Sequence, residues 1–308
     1  MRVLAAPLRA VGQPVRRFLK PVWYRLFRFH PFHYLGAIYW ATMSQPARDH
    51  FVATRFLAGA NLGLRERCLR TYLDDCYYAQ HADSSTTPDA NRSRWSGPSG
   101  QEYHRAMLQH YTENPEEFDR QHASLLARMK ELLAAQTYEC VVEIGCGNGL
   151  LIERVASLAP EASTVFVGLD MDPATIASNR QRYAGSRVQF HQSNTLQEFL
   201  AGRRPLSVLV YASGAAAFFT PGELVNLLTW LRSNVPRGAV VVGDITHLEV
   251  EREQQSRPLG GYSFHHNYGF LFAQAGLDDN QCQYEPVPDY PLQAVVASAS
   301  WGRVQEAS

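Results

Sequence analysis

Three glycines at alternate positions close the run Val141-Val142-Glu143-Ile144-Gly145-Cys146-Gly147-Asn148-Gly149. An apolar stretch followed by such glycines is the pattern of a buried strand turning sharply into a helix, here opening near Leu150. Glycine permits the tight turn and lets a ligand approach the backbone closely. Asp170 follows the apolar run Val165 to Leu169, roughly 20 residues beyond the glycines. A carboxylate at that point can accept from both hydroxyls of a ribose, so the pair indicates a nucleoside-containing ligand. A dinucleotide fingerprint has the form G-x-G-x-x-G/A. Counted from Gly145, its last position is Leu150. A nicotinamide or flavin dinucleotide, and with it a nucleotide-linked oxidoreductase, is therefore disfavoured.

Other residues could handle protons. His265 and His266, in Ser263-Phe264-His265-His266-Asn267-Tyr268, are the catalytic base candidates, placed after the fifth strand at an expected helix start. An ordinary imidazole titrates near pH ~6.5, which suits a base, but surface or capping roles fit both residues too. Asp244 and His247 are weaker alternatives. Tyr103, His104 and Tyr111 precede the glycine run, where they would cover a ligand or simply pack. Trp95, in a loop of Ser, Gly and Pro, is a candidate lid anchor. A hard cation needs clustered oxygen ligands, and Asp244 alone is not a cluster, so no metal is expected.

The elements that must position these groups alternate. Strands are expected at Cys140–Ile144, Val165–Leu169, Val188–His191, Leu206–Tyr211, Ala239–Val242, Gln283–Val287 and Ala294–Ala299. Asn114-Pro115-Glu116-Glu117 starts a helix that continues through Phe118, Leu125, Leu126, Met129, Leu132 and Leu133. Asp172-Pro173 caps a helix to about Tyr183, and Thr220-Pro221-Gly222-Glu223 is a capping box for a helix to about Ser233. Ser263 to Gly276 is expected to be helical. Strands alternating with helices imply an α/β fold with a mostly parallel sheet, ending in an antiparallel hairpin. Such sheets bind ligands beyond the carboxyl ends of their strands.

Residues 141 to 300, about half the chain, resemble the class I S-adenosylmethionine-dependent methyltransferases. The resemblance implies a seven-stranded Rossmann-like sheet, with S-adenosyl-L-methionine as cofactor. Glu143 to Gly149, including Gly145, Cys146, Gly147 and Gly149, match the family's first motif, implying contact with the amino-acid end of the cofactor. Gly168-Leu169-Asp170-Met171 matches its second strand end, implying that Asp170 holds the ribose and Met171 packs near the adenine. Gln192-Ser193-Asn194-Thr195 stands where the family commonly has Gly-Asp. There Asn194 replaces the acid, and its amide oxygen still accepts a hydrogen bond. Tyr211-Ala212-Ser213-Gly214 lies where the fourth strand opens toward substrate. That strand is not followed by the Asn/Asp-Pro-Pro-aromatic motif of many base and amide methyltransferases. The implied acceptor is thus a small or lipid-like molecule, methylated at oxygen more than at nitrogen. A cofactor-binding protein without transferase activity is the alternative.

Composition sets the remaining bounds. The 308 residues hold 45% hydrophobic and 19% charged residues with a formal net charge of zero, which argues against a surface built to grip nucleic acid. Residues 1–48 carry no Asp or Glu, but contain Arg2, Arg9, Arg16, Arg17, Lys20, Arg25, Arg28 and Arg48. Aromatic residues are interleaved with them, from Phe18 and Trp23 to Trp40. Pro14, Pro21 and Pro31 argue against one long helix. Contact of residues 1–48 with a membrane surface is an expectation, beside a packed cap or a targeting extension. The most apolar run, Tyr34 to Met43, is far short of the roughly 20 residues that span a bilayer. Five scattered cysteines without a C-x-x-C pair fit a reducing, cytoplasmic setting. The chain divides into a basic, aromatic, mainly helical region over 1–100, ending in a loop, and the Rossmann-like domain over 101–308.

Overall fold

The computed structural model describes residues 31–54, 63–80, 95–159, 163–193, 195–248, 250, 256–259, 263–277, 279–287 and 292–302. Apolar runs rich in Val, Leu and Phe form its central sheet. The strands are β1 (Cys140–Ile144), β2 (Val165–Asp170), β3 (Val188–Gln192), β4 (Ser207–Ser213), β5 (Arg237–His247), β8 (Asn280–Pro286) and β9 (Leu292–Trp301). Their order is β3-β2-β1-β4-β5-β9-β8. The first five are parallel, and β9 runs antiparallel to both β5 and β8. Chain order reverses between β1 and β4, so a crevice opens beyond their carboxyl ends.

Side chains alternate across the sheet. On β5, Val240 and Val242 enter one apolar layer with Leu224, Leu228 and Phe272. Ala239 and Val241 enter the other with Leu125, Met129 and Ile152. Strands buried on both faces explain why these runs read as continuously hydrophobic rather than alternating.

Among the described residues, three helices precede the domain: α1 (Pro31–Thr42), α2 (Gln45–Thr54) and α3 (Leu64–Gln80). Buried Phe51 and Leu69 join Tyr39, Trp40, Met43 and Leu73 in a small core of their own. Helix α4 (Pro98–Glu113) begins with Pro98 just inside its amino end, where the missing N–H costs nothing. The expected loop therefore ends at Gly97, while residues 81–94 lie outside the described residues.

Three further expectations are corrected. The helix expected from Pro115 to Leu133 is two, α5 (Pro115–Gln121) and α6 (Ala123–Ala135), broken at His122. The His122 ring Nδ1 bonds the Phe118 carbonyl at 2.9 Å, and its backbone leaves helical geometry. Asn114 does not cap with its side chain, which donates instead to the His110 carbonyl at 2.8 Å. The segment from Ser263 begins as a strand: β7 (Ser263–His265) pairs antiparallel with β6 (Arg257–Leu259). Helix α11 (Tyr268–Gln274) starts only after Asn267, whose side chain accepts from the Phe270 amide at 3.1 Å. The helical period was there, but the Asn cap sets the start. The remaining helices are α7 (Leu150–Ser157), α8 (Pro173–Arg182), α9 (Leu196–Ala201) and α10 (Pro221–Asn234).

Candidate functional site

The glycine loop sits in the crevice beyond β1. Gly145, Gly147 and Gly149 have φ of 68°, 47° and 79°, the left-handed region that side chains avoid. Crowding adds to this. A Cβ on Gly145 would stand 2.7 Å from the Ala215 Cβ, and one on Gly147 2.8 Å from the His104 ring.

The loop is strapped from β2 and α8. The Cys146 amide donates to the Leu169 carbonyl at 2.9 Å. Asp170 Oδ2 accepts from the Gly147 amide at 3.0 Å, and its Oδ1 accepts from the Asp172 amide at 3.0 Å. The Asn179 side chain donates to the Gly147 carbonyl at 2.6 Å, and the Tyr183 hydroxyl to the Asn148 carbonyl at 3.1 Å. Each Asp170 oxygen retains acceptor capacity after its single backbone bond. The loop is thus held rigid while its carboxylate still faces the crevice.

A cavity of about 540 Å³ lies there, within the size range of small-molecule sites. One wall is Ile144, Gly145, Leu169, Asp170 and Met171, and a second is Ser193, Thr195, Leu196 and Gln197. The far side is Ser213, Gly214, Ala215, Phe218 and Phe219, continued by Glu223, Asn226 and Leu227 of α10. Trp95, Tyr103 and His104 close it from the amino-terminal side. The Trp95 ring meets Phe218 edge-on at 5.3 Å and Tyr103 at 5.4 Å, joining the two sides of the opening. Burial pushes the His104 pKa below its ordinary value, with Asp170 and Asp172 pulling the other way.

Of the expected cofactor residues, Gly145, Asp170, Met171 and Thr195 line this cavity. Glu143, Cys146, Gly147, Gly149 and Tyr211 do not, and Asn194 lies outside the described residues. Glu143 and Tyr211 are buried behind the loop, and the tyrosine hydroxyl donates to Glu143 at 3.2 Å. Burial raises the Glu143 pKa well above the carboxylate range. The pair therefore supports the loop as a buried, hydrogen-bonded prop.

His265 and His266 are buried and absent from the cavity wall. His266 Nε2 lies 3.1 Å from the Phe219 carbonyl, and Nδ1 lies 2.7 Å from the Ser256 hydroxyl. A carbonyl only accepts, so Nε2 carries the proton and Nδ1 accepts from Ser256. Burial lowers the His266 pKa to about 4. Nearby, Tyr268 donates to Asp244, which also accepts from the Ile245 amide at 2.7 Å. Desolvation pushes Asp244 up to about 7, against the opposing pull of the Tyr268 bond. Among the described residues, no group of three His, Cys, Asp or Glu stands together as metal ligands.

Several wall residues escaped the sequence reading, notably Leu196, Gln197, Phe218, Phe219, Asn226 and Leu227. One signal for them existed. The Thr220–Glu223 capping box is present in full, and it fixes the register of α10. Positions 223, 226 and 227 then share a face by helical spacing.

Residues 141–238 match the family model described as a methyltransferase domain. Over this stretch the chain is similar to that domain, and the sheet holding it has a Rossmann-like order. No curated protein matches the sequence. Among solved structures, the domain is similar to human N-acetylserotonin methyltransferase in complex with S-adenosylmethionine. That likeness has 14% identity over 78% of this chain and 70% of that one, with a TM-score of 0.50. An O-methyltransferase family protein from Burkholderia thailandensis matches at 15% identity over 73% of this chain and 63% of that one, TM-score 0.41. An N-methyltransferase from Bradyrhizobium japonicum, solved with S-adenosyl-L-homocysteine, matches at 16% over 59% and 87%, TM-score 0.42. The chain spans 57% of a Nostoc punctiforme structure that also matches, at 16% identity over 59% of this chain and with a TM-score of 0.39. At such identities the likeness concerns the fold.

Proposed function

We propose that this methyltransferase domain methylates a small or lipid-like acceptor, at oxygen more than at nitrogen. The observation carrying the reading is the strapped glycine loop with Asp170 on the wall of one cavity. The residues fit the cofactor. Gly145, left-handed and on the cavity wall, leaves open the space that a Cβ would fill against Ala215, and Gly147 and Gly149 hold the turn behind it. Asp170 is suited to hold the ribose hydroxyls, while Met171, Leu196 and Leu169 offer apolar surface for the adenine. S-adenosylmethionine supplies an electrophilic methyl group when bound.

The chain's own part is to position, desolvate and deprotonate the acceptor. Ordering the reactants can contribute roughly 7–11 kcal/mol of barrier lowering. Trp95, Tyr103, Phe218 and Phe219 give the opening an apolar, aromatic rim suited to a small or lipid-like acceptor and to excluding water. A hydroxyl acceptor must lose its proton. His104 is the imidazole on the cavity wall, and its lowered pKa keeps it neutral and able to accept. The two histidines favoured by sequence take a different place in this reading. His266 anchors the Phe219 carbonyl and so positions the rim, with His265 beside it.

Incubating the protein with labelled S-adenosylmethionine and fractionated metabolite and lipid extracts tests the acceptor class. Labelled product in phenol-, alcohol- or lipid-containing fractions is expected, reduced strongly by His104→Gln and less by His266→Gln. Transfer confined to amines, or unchanged in His104→Gln, contradicts the reading.

A further inference from the structure

Helix α1 carries no charged residue along Pro31–Thr42. One side of it packs closely on α3. A Cβ on Gly36 would stand 2.1 Å from the Cys68 carbonyl oxygen, so glycine is what lets the two backbones meet. The other side faces solvent with large apolar groups: Tyr34 is 59% exposed, Leu35 41% and Ile38 59%. Positions 34 and 38, and 35 and 38, lie one turn apart, so the three form a continuous strip. Leu64, at the start of α3, is 40% exposed as well. Arg65 next to it lies over the Tyr39 ring at 5.4 Å, bringing a cation to the end of α1.

Charge says what this strip meets. The 30 residues leading into α1 contain seven Arg or Lys and no Asp or Glu. They also hold Phe18, Trp23, Tyr24, Phe27 and Phe29. Basic residues near an anionic lipid surface each add attraction, and aromatic rings favour the headgroup level. Helix α1, with 12 residues, is too short to cross a bilayer, and no described helix is long and apolar enough to do so. A helix with a strip of apolar side chains can still lie in the plane of the interface.

We infer that the exposed strip of α1, Tyr34, Leu35 and Ile38, docks on an anionic lipid surface, with the preceding basic segment as its electrostatic partner. Neither element suffices alone. One apolar strip of three side chains is a weak anchor, and basic charge by itself gives salt-sensitive binding; stable attachment takes two signals. This inference stands apart from the methyl-transfer reading, since the strip shares no residue with the cavity.

Sedimentation of the full chain with vesicles tests it. One set contains three parts phosphatidylcholine to one part phosphatidylglycerol, and the other is phosphatidylcholine alone. The wild type should bind the anionic vesicles, weakly bind the neutral ones, and lose affinity as salt is raised. Leu35→Asp/Ile38→Asp should reduce binding to anionic vesicles at least roughly tenfold, as should replacing Arg16, Arg17, Lys20, Arg25 and Arg28 by Gln. Titration with S-adenosylhomocysteine and circular dichroism report whether each variant is folded. Equal vesicle binding by wild type and the Leu35→Asp/Ile38→Asp variant overturns the inference, as does absence of wild-type binding. A wild-type dimer that this variant converts to monomer, without any vesicle binding, assigns the strip to a second copy of the chain instead.

Discussion

The two sides of the cavity are built by different means. On the β1–β2 side, backbone conformation does the work. Glycines with positive φ, two amides on Asp170 and the Asn179 strap fix a loop from residues close together in sequence. On the other side, side chains do it. Trp95, Tyr103 and His104 come from the approach to α4 and from α4 itself, and they meet Phe218 and Phe219 from beyond β4. The first side suits a ligand of fixed shape. The second can vary in sequence without disturbing the sheet, and so is the side suited to setting the acceptor. A backbone-built site should fail abruptly when altered, and a side-chain-built one by degrees.

The largest effect is expected at Gly145. Gly145→Val places a branched side chain at φ 68°, against Ala215. S-adenosylmethionine affinity should fall at least roughly a hundredfold, since strain and steric blockage act together. Calorimetry on the folded variant checks this, and affinity within a few-fold of wild type would mean that the loop does not bound the ligand.

The polar cluster behind the rim gives a pH signature. His266 stays neutral down to about pH 4 when folded, whereas an unfolded histidine takes up a proton near pH ~6.5. Its stabilising effect is thus full above that value and is lost as pH falls toward 4. Asp244 keeps its proton to about pH 7 folded, against an ordinary value of 3.8. Its contribution is full below that ordinary value and is lost as pH rises toward 7. The two oppose each other across the same window, so wild-type stability should be comparatively flat there. In Asp244→Asn only the effect of His266 remains, and stability should drop by on the order of 3 kcal/mol between pH 6.5 and 4. Urea unfolding across that range measures it. Matching wild-type and variant slopes would remove Asp244 from the account.

Asp170→Asn keeps the shape but replaces a charged acceptor by a neutral amide. Loss of the charge-assisted contacts to the Gly147 amide and the ribose should cost about 1.5–3 kcal/mol, or roughly ten- to a hundredfold in affinity. The smallest effect is expected from Trp95→Ala. It should raise the acceptor KM a few-fold while leaving cofactor affinity nearly unchanged, because its ring packs on the rim rather than on the glycine loop. Weaker cofactor binding, with KM unaltered, would move Trp95 to the other side of the cavity.

The same difference explains what the sequence disclosed. The glycine turn and Asp170 were legible because their conformations demand particular residues at particular spacings. β1 and the α10 capping box were legible for similar reasons: continuous apolar burial and a local exchange of hydrogen bonds. The seven-stranded sheet followed from the alternation of elements, and the final hairpin from two strands with little between them. Of the rim, Trp95, Tyr103 and His104 drew notice as possible covers, but Phe218 and Phe219 did not, because they meet that side only through the fold. Glu143 also shows that a motif residue can have a partner the sequence does not name, since its carboxyl accepts from the Tyr211 hydroxyl. His265 and His266 drew attention by residue type, but type does not reveal that a backbone carbonyl and a serine already engage both nitrogens of His266.

The central claim is that the cavity beside Gly145 and Asp170 takes S-adenosylmethionine. Titration calorimetry of the purified chain against S-adenosylmethionine, S-adenosylhomocysteine and NAD tests it most directly. The account predicts saturable one-to-one binding of the first two, both weakened by Asp170→Asn, and none of NAD. Binding of NAD in preference to them, or binding of S-adenosylhomocysteine indifferent to Asp170→Asn, would contradict it.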